Sequence, residues 1–232
     1  MERRNIDGVA RHYTKLGVGT FCIAYIHCGN MERLLALDAK VFPPSHRIDA
    51  ATTERRLRVN PRTDIAVWDG EELMGYVSLY PIPHAIYREI RSGSFDEQRV
   101  ERHTLPYRRI GPYDAYLCGI AIDKMRYPRL RAAYLFDLLS KHLTRLRRQG
   151  FFIRRIIAHA VSAAGRRTLE RMGFHEGQPG IYLYHCLRQG LLFIRPRTSF
   201  PAILSIAPGQ GQCMFSAAPS AYNGESVWDT DT

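Results

Sequence analysis

The chain has 232 residues, of which 45% are hydrophobic and 24% charged, and its formal net charge at pH 7 is +11. This composition excludes a wholly disordered chain and favours one globular domain with an additional tail. The excess of positive charge predicts anionic partners, because phosphates and acidic surfaces are attracted to a protein of this charge.

The cysteines and the termini bear on the cellular compartment. The five cysteines are scattered and show no spacing typical of a zinc site or a disulfide framework. The polar, basic N-terminus lacks the apolar run of a secretory signal. No run of about 18 apolar residues, the length that crosses a membrane, is found. We therefore expect a cytoplasmic protein with reduced thiols, no metal and no membrane contact.

The first half of the chain alternates strand-type and helix-type patterns. Residues 1–19 are basic and without a clear period, and we expect a loose arm or a short helix there. Asp69-Gly70 separates two β-rich runs, which is typical of a hairpin turn. The predicted elements are a strand at 21–26, a helix between Asn30 and Pro43, a helix at 50–59, strands at 63–68 and 73–80, and a short helix at 85–90.

The second half contains the longest helical pattern. Its predicted elements are a strand at 113–122, an amphipathic helix at 130–148, a strand at 151–160, a helix at 163–172 and a strand at 181–187. A long helix between two strands predicts a parallel crossover, whereas the hairpin predicts antiparallel pairing. The sequence therefore predicts an α/β domain over 20–187, with a mixed sheet flanked by helices. Residues 188–232 are rich in Gly, Pro, Ser and Ala and are expected to form a mobile tail.

Three segments, in this order, resemble the GNAT (Gcn5-related N-acetyltransferase) family. They are the strand at 113–122 that runs into Asp123, the basic turn at 126–133, and the last helix, which ends at Gly173-Phe174. The resemblance covers about residues 20–187. It implies a mostly antiparallel sheet with one splayed parallel strand pair. It also implies transfer of an acetyl or other acyl group from acetyl-CoA, or another acyl-CoA, to an amine on a small molecule or peptide.

The resemblance implies where the acyl-CoA binds. A wedge beside the splayed strand can receive the pantetheine arm on main-chain groups, and the N-terminus of the next helix favours a diphosphate. Arg129 and Arg131 stand where the family has glycines, so guanidinium contacts are expected in place of a main-chain cradle. The residues expected to bind the cofactor are Ile120, Ala121, Ile122, Arg126, Arg129, Leu130, Arg131, Ala132, Ala133 and Ser162.

Candidates for proton transfer lie on the same strand. Asp114, Tyr116 and Cys118 alternate along it and so share one face. That face either lines the substrate cleft, or Asp114 is solvated and Tyr116 belongs to the core. Cys118 is either an acyl-accepting thiolate or an ordinary half-buried residue. His159, on the following strand, is a candidate base by its intrinsic pKa, or is structural.

A basic region follows the strand at 113–122. Thirteen Lys and Arg residues lie between 124 and 171, against Asp137 and Glu170. They form either a solvated surface or a site for CoA phosphates, an acyl carrier protein or nucleic acid. Leu169 replaces a tyrosine, and Ser162 an asparagine, that the family often has. These departures favour the alternative, a catalytically inactive GNAT-fold module that binds an anionic macromolecule. A homodimer is compatible with either hypothesis.

Overall fold

One sheet organises the chain. The computed structural model describes residues 12–15 and 20–186, so the predicted tail at 188–232 lies outside the described residues. Eight strands are ordered β1-β2-β3-β4-β5-β6-β8-β7. They are β1 His12–Lys15, β2 Thr20–Tyr25, β3 Asp64–Asp69, β4 Glu72–Ile82, β5 Gly111–Ile122, β6 Phe151–His159, β7 His175–Gln178 and β8 Ile181–His185.

Helices cover both faces of the sheet. They are α1 Met31–Val41, α2 Ala50–Val59, α3 His84–Arg91, α4 Glu97–Arg102, α5 Ala132–Arg148 and α6 Ala163–Arg171. The buried leucines of α5 pack on one face, against residues such as Leu117 and Ile156. On the other face α1 and α2 cover Tyr76, and α3 covers Tyr80 and Tyr116.

The strand pairing confirms the predicted fold class. Every neighbouring pair is antiparallel except β5 and β6, which are parallel. Helix α5 makes the crossover between these two strands, as a parallel connection requires. Their ladder ends at Leu117 and Ala158, although β5 continues to Ile122. The parallel pair is therefore splayed, and the gap opens beside the second half of β5.

Three elements lack a signal in the sequence. Within residues 1–19, β1 forms a strand on β2, so the prediction of a loose arm or short helix is wrong for His12–Lys15. Helix α4 is short and lies in the charged segment at 87–109. Strand β7 has four exposed residues and no apolar side chain, so no alternation marks it. Within 12–15 and 20–186, no helix is long and apolar enough to cross a membrane.

Candidate functional site

The gap begins at a change of register in β5. Leu117 pairs with Leu79 of β4, but Gly119 pairs with Ser78, so Cys118 is an extra residue in β5. An extra residue bends a strand and increases its twist, which turns β5 away from β6 at this point. Residues 114–117 are buried, whereas 118–120 are half-buried. The main chain of β5 is thus accessible where its partner strand ends.

The orientation of the peptide groups follows from the pairing with β4. The N–H of Asp123 donates to the Met74 carbonyl at 3.0 Å. Successive residues of a strand direct their main-chain groups to opposite sides. Ala121 therefore faces β4, and Ile120 and Ile122 face the gap. Of the three residues predicted to bind the thioester arm, Ile120 presents its main-chain groups to the gap and Ile122 its N–H. The Ile122 carbonyl accepts a hydrogen bond from the Lys124 N–H at 2.9 Å.

The turn after β5 leads to the N-terminus of α5. Asp123 holds the turn, because its carboxylate accepts hydrogen bonds from the Arg126 N–H at 3.1 Å and from Lys40 Nζ at 2.9 Å. These hydrogen bonds, that of Lys40 first, lower the pKa of Asp123. The N-cap residue of α5, Arg131, makes no capping hydrogen bond with its side chain, and Ala132 and Ala133 are half-buried there. An uncapped helix N-terminus favours an anion.

The predicted phosphate ligands have three different environments. Arg126 forms an ion pair with Glu72 at 2.9 Å and lies over the Tyr127 ring, so it already has partners within the protein. Leu130 is buried in the core, and its Cδ2 would lie 3.2 Å from a Cβ atom at Gly75. Leu130 therefore anchors the turn through its side chain. Arg129 and Arg131 have exposed side chains beside the helix N-terminus.

Asp114 does not face the cleft. Its side chain is buried and accepts hydrogen bonds from Arg154, Arg155 and His84, at 2.7 to 3.0 Å. Burial raises the pKa of Asp114, but these hydrogen bonds outweigh it and hold the pKa well below its usual range. A carboxylate with so low a pKa is a poor proton acceptor. The predicted catalytic role of Asp114 therefore has no support from the geometry, and an ion cluster explains the residue.

Tyr116 belongs to an aromatic cluster in the core. Its side chain is fully buried, and its ring makes edge contacts with Tyr80 and Phe95, at centroid distances of 5.7 and 6.5 Å. The core interpretation of Tyr116 is therefore the one that the packing supports. Cys118 is half-buried and packs against the same cluster. It lies at the edge of the gap, where β5 departs from β6.

His159 lines a cavity of about 510 Å³ next to this cluster. Its ring lies 5.3 Å from the Phe95 ring and 6.0 Å from the His46 ring. Ser45, Arg47 and Asp96 complete the polar lining. His159 follows Ala158, the last β6 residue paired with β5, so the cavity lies at the carboxyl end of β6, near the point where the ladder ends.

Ser162 has a structural task. It is the N-cap of α6, and its Oγ accepts a hydrogen bond from the Gly165 N–H at 3.0 Å. Serine is a favoured N-cap because its hydroxyl satisfies an otherwise unpaired amide. The predicted role of Ser162 in cofactor binding stays a prediction.

A second carboxylate lies near Gly119 of β5, through its contact with Tyr76, and sequence reasoning missed it. The Tyr76 hydroxyl donates a hydrogen bond to the carboxylate of Asp38, on α1. Burial raises the pKa of Asp38 to about 7, although the hydrogen bond from Tyr76 lowers it. A Cβ atom at Gly119 would lie 3.3 Å from the Tyr76 hydroxyl oxygen. In the sequence Asp38 is one polar residue of an amphipathic helix, and no local pattern distinguishes it.

Among residues 12–15 and 20–186, no three His, Cys, Asp or Glu side chains are grouped as metal ligands would be.

Similarity to known proteins is found among solved structures. No family model and no curated protein matches the sequence. Similar solved structures include a GphF GNAT-like decarboxylase in complex with isobutyryl-CoA, with 17% identity, a TM-score of 0.48, and 64% of this chain and 70% of that chain covered. Arabidopsis thaliana NAA60 in complex with acetyl-CoA has 17% identity and a TM-score of 0.48, with 72% and 98% covered. The GNAT domain of S. lividans PAT has 16% identity and a TM-score of 0.47, with 75% and 96% covered. At identities of 16% to 17% and TM-scores below 0.5, these similarities assign no activity, substrate or cofactor to this chain.

Proposed function

We propose that this chain is a divergent GNAT acyltransferase that moves an acetyl or other acyl group from a CoA thioester to an amine. One observation carries the proposal. Strand β5 continues past the end of its parallel partner, with the main-chain groups of Ile120 and the N–H of Ile122 directed into the gap. An extended amide-bearing arm can pair with such an edge as an added strand does.

The diphosphate of the donor would lie at the other end of this gap. The uncapped N-terminus of α5 offers amide groups and a favourable helix dipole. Arg129 and Arg131 flank it and can add bidentate phosphate contacts. Arg126 is not needed, because Glu72 already pairs with it.

The acceptor would enter through the cavity that His159, His46 and Asp96 line. The reaction is a direct attack of the amine on the thioester carbonyl, so positioning of the two substrates supplies much of the rate. Cys118 borders the gap and packs against the cluster that contains Phe95, which lines the cavity. An acyl-cysteine route through Cys118 stays a second hypothesis.

Thermal unfolding with acetyl-CoA tests the donor site. A ligand at 100 times its dissociation constant stabilises the folded state by about 2.7 kcal/mol, which raises the melting temperature by several degrees. We expect this rise in the parent chain and its loss in the double variant Arg129→Asp, Arg131→Asp. The control variant Arg147→Asp, Arg148→Asp reverses two exposed charges at the opposite end of α5 and should keep the rise.

Two outcomes would contradict the proposal. If acetyl-CoA protects the 129/131 variant as well as the parent, the phosphate assignment is wrong. Calorimetric titration and an electrophoretic mobility shift give the second test. If acetyl-CoA binds neither chain, while the parent chain binds nucleic acid in a salt-dependent manner, the hypothesis of an inactive anion-binding module replaces that of an enzyme.

A further inference from the structure

We infer that Asp38, held by the Tyr76 hydroxyl, accepts the proton that an amine must lose before it attacks the thioester. The inference rests on the proposed acyl transfer and assigns a residue to its proton step. Asp38 belongs to α1, and the Tyr76 side chain lies on the face of the sheet opposite α5.

Tyr76 lies on β4 opposite Ala121 of β5, and Asp38 reaches it from α1. The Tyr76 hydroxyl and the Phe42 ring both lie against Gly119, where the missing side chain leaves room for them. Gly119 immediately precedes Ile120, whose main chain faces the expected thioester. The hydroxyl and its carboxylate partner therefore lie next to the site of acyl transfer.

Asp38 is half-buried, so it is sheltered without being fully removed from solvent. Tyr76 is buried, and its hydroxyl holds one carboxylate oxygen in place. A proton acceptor needs both properties, because it must be fixed towards the acceptor and then return its proton to water.

Burial and nearby charges determine the pKa of Asp38. The largest influence on the pKa of Asp38 is burial, which raises it to about 7. Tyr76 and Arg56 lower the pKa, whereas the carboxylates of Asp64 and Glu101 raise it. Lys40, on the same helix, is bound to Asp123 at 2.9 Å. A proton acceptor is most effective when its pKa is near the working pH.

The amine loses two protons in all during acyl transfer. The ammonium form of the acceptor gives one proton to the Asp38 carboxylate, which releases it to water. The free amine attacks the thioester carbonyl, the carbon–nitrogen bond forms and the carbon–sulfur bond breaks. The remaining excess proton on nitrogen passes to the departing thiolate, and the products are an amide and CoA.

The pH dependence of turnover tests the inference. The parent protein is assayed with acetyl-CoA and three amines, namely spermidine, a lysine-containing peptide and a peptide with a free N-terminus. The release of CoA is followed from about pH 5.5 to 9, because this range brackets a general base with a pKa near 7. Asp38→Asn keeps an acceptor for the Tyr76 hydrogen bond but cannot take a proton. We expect kcat/KM to fall about 100-fold and the acidic limb of the profile to disappear.

Tyr76→Phe is the positioning variant. Loss of the hydrogen bond that lowers the pKa of Asp38 should move the acidic limb to higher pH, with about a tenfold loss of kcat. Asp137→Asn, at an exposed aspartate of α5, is the matched control and should leave the profile unchanged. Acetyl-CoA affinity should be the same in all four proteins.

The outcomes separate the two proposals. If Asp38→Asn keeps the parent's rate and acidic limb, or if His159→Gln removes that limb instead, Asp38 is not the proton acceptor. If the parent binds acetyl-CoA and acylates none of the amines, the inference is overturned while the donor site stands. If acetyl-CoA does not bind, the proposed acyl transfer itself fails.

Discussion

Two buried or half-buried aspartates near the parallel strand pair have opposite environments. Asp114 accepts five hydrogen bonds from two guanidinium groups and an imidazole, whereas the described partner of Asp38 is one tyrosine hydroxyl. The pKa of Asp114 is held below its usual range, and that of Asp38 is raised to about 7. The sequence directs attention to Asp114, and the structure to Asp38.

The difference shows what a strand pattern can and cannot predict. Alternation correctly places Asp114 and Tyr116 near each other on β5, but it says nothing about which side chains approach from β6. Arg154 and Arg155 of that strand neutralise Asp114 and turn it into a structural group. A carboxylate is available for proton transfer only where its neighbours leave it partly unsatisfied, as they do at Asp38.

The largest expected effect is on the stability of the Asp114 cluster. Asp114→Asn removes the charge that Arg154 and Arg155 share, and loss of one partner from a buried ion cluster costs about 3 kcal/mol. Urea unfolding at pH 7 measures this loss, with Asp137→Asn as the exposed control. A change below about 0.5 kcal/mol, the range of ordinary surface substitutions, would mean that the cluster is not structural.

The two aspartates should also give stability opposite pH dependences. The unfolded pKa of Asp is about 3.9. Because the pKa of Asp114 is lowered in the fold, its contribution is present above pH 4 and is lost as the pH falls below that value. Because the pKa of Asp38 is raised, stability is lost as the pH rises from 4 through 7.

Asp38→Asn isolates the second dependence. It should be more stable than the parent by about 2 kcal/mol at pH 8 and show little advantage at pH 4. Urea midpoints at the two pH values give the comparison. An equal difference between variant and parent at both values would show that Asp38 does not titrate in this range.

The smallest expected effect comes from Gly119. A Cβ atom there would meet the Tyr76 hydroxyl at 3.3 Å, so Gly119→Ala should cost about 1 kcal/mol or less and reduce kcat about tenfold by displacing the Asp38 pair. Gly29→Ala is a matched control, since its Cβ would meet the His27 ring at 3.2 Å, outside β5. Equal effects of the two substitutions on kcat would contradict the position of the pair.

The sequence predicts the fold better than the site. The hairpin at Asp69-Gly70 and the crossover by α5 are local signals, and both are confirmed. The gap exists because the ladder of β5 and β6 ends at Leu117. We attribute this end to the extra residue Cys118, which no pattern in the sequence indicates. The order of elements is therefore readable, and the geometry at the end of a strand is not.

Contacts between distant residues account for the other omissions. Helix α4 lies in a charged segment that resembles a surface insertion. It is held by Glu101, which forms a buried ion pair with Arg56, and Arg56 also pairs with Asp64. Burial raises the pKa of Glu101, and Arg56 lowers it. A network that joins residues 45 positions apart cannot be inferred from either segment alone.

Strand β7 has a consequence for how copies of the chain meet. It forms one edge of the sheet, and its side chains at His175–Gln178 are polar or absent and all exposed. A second copy that added its own strand there would dehydrate these groups and gain almost no apolar contact. The polar β7 edge therefore disfavours edge-to-edge association, and we expect it to stay solvent-exposed even at high protein concentration.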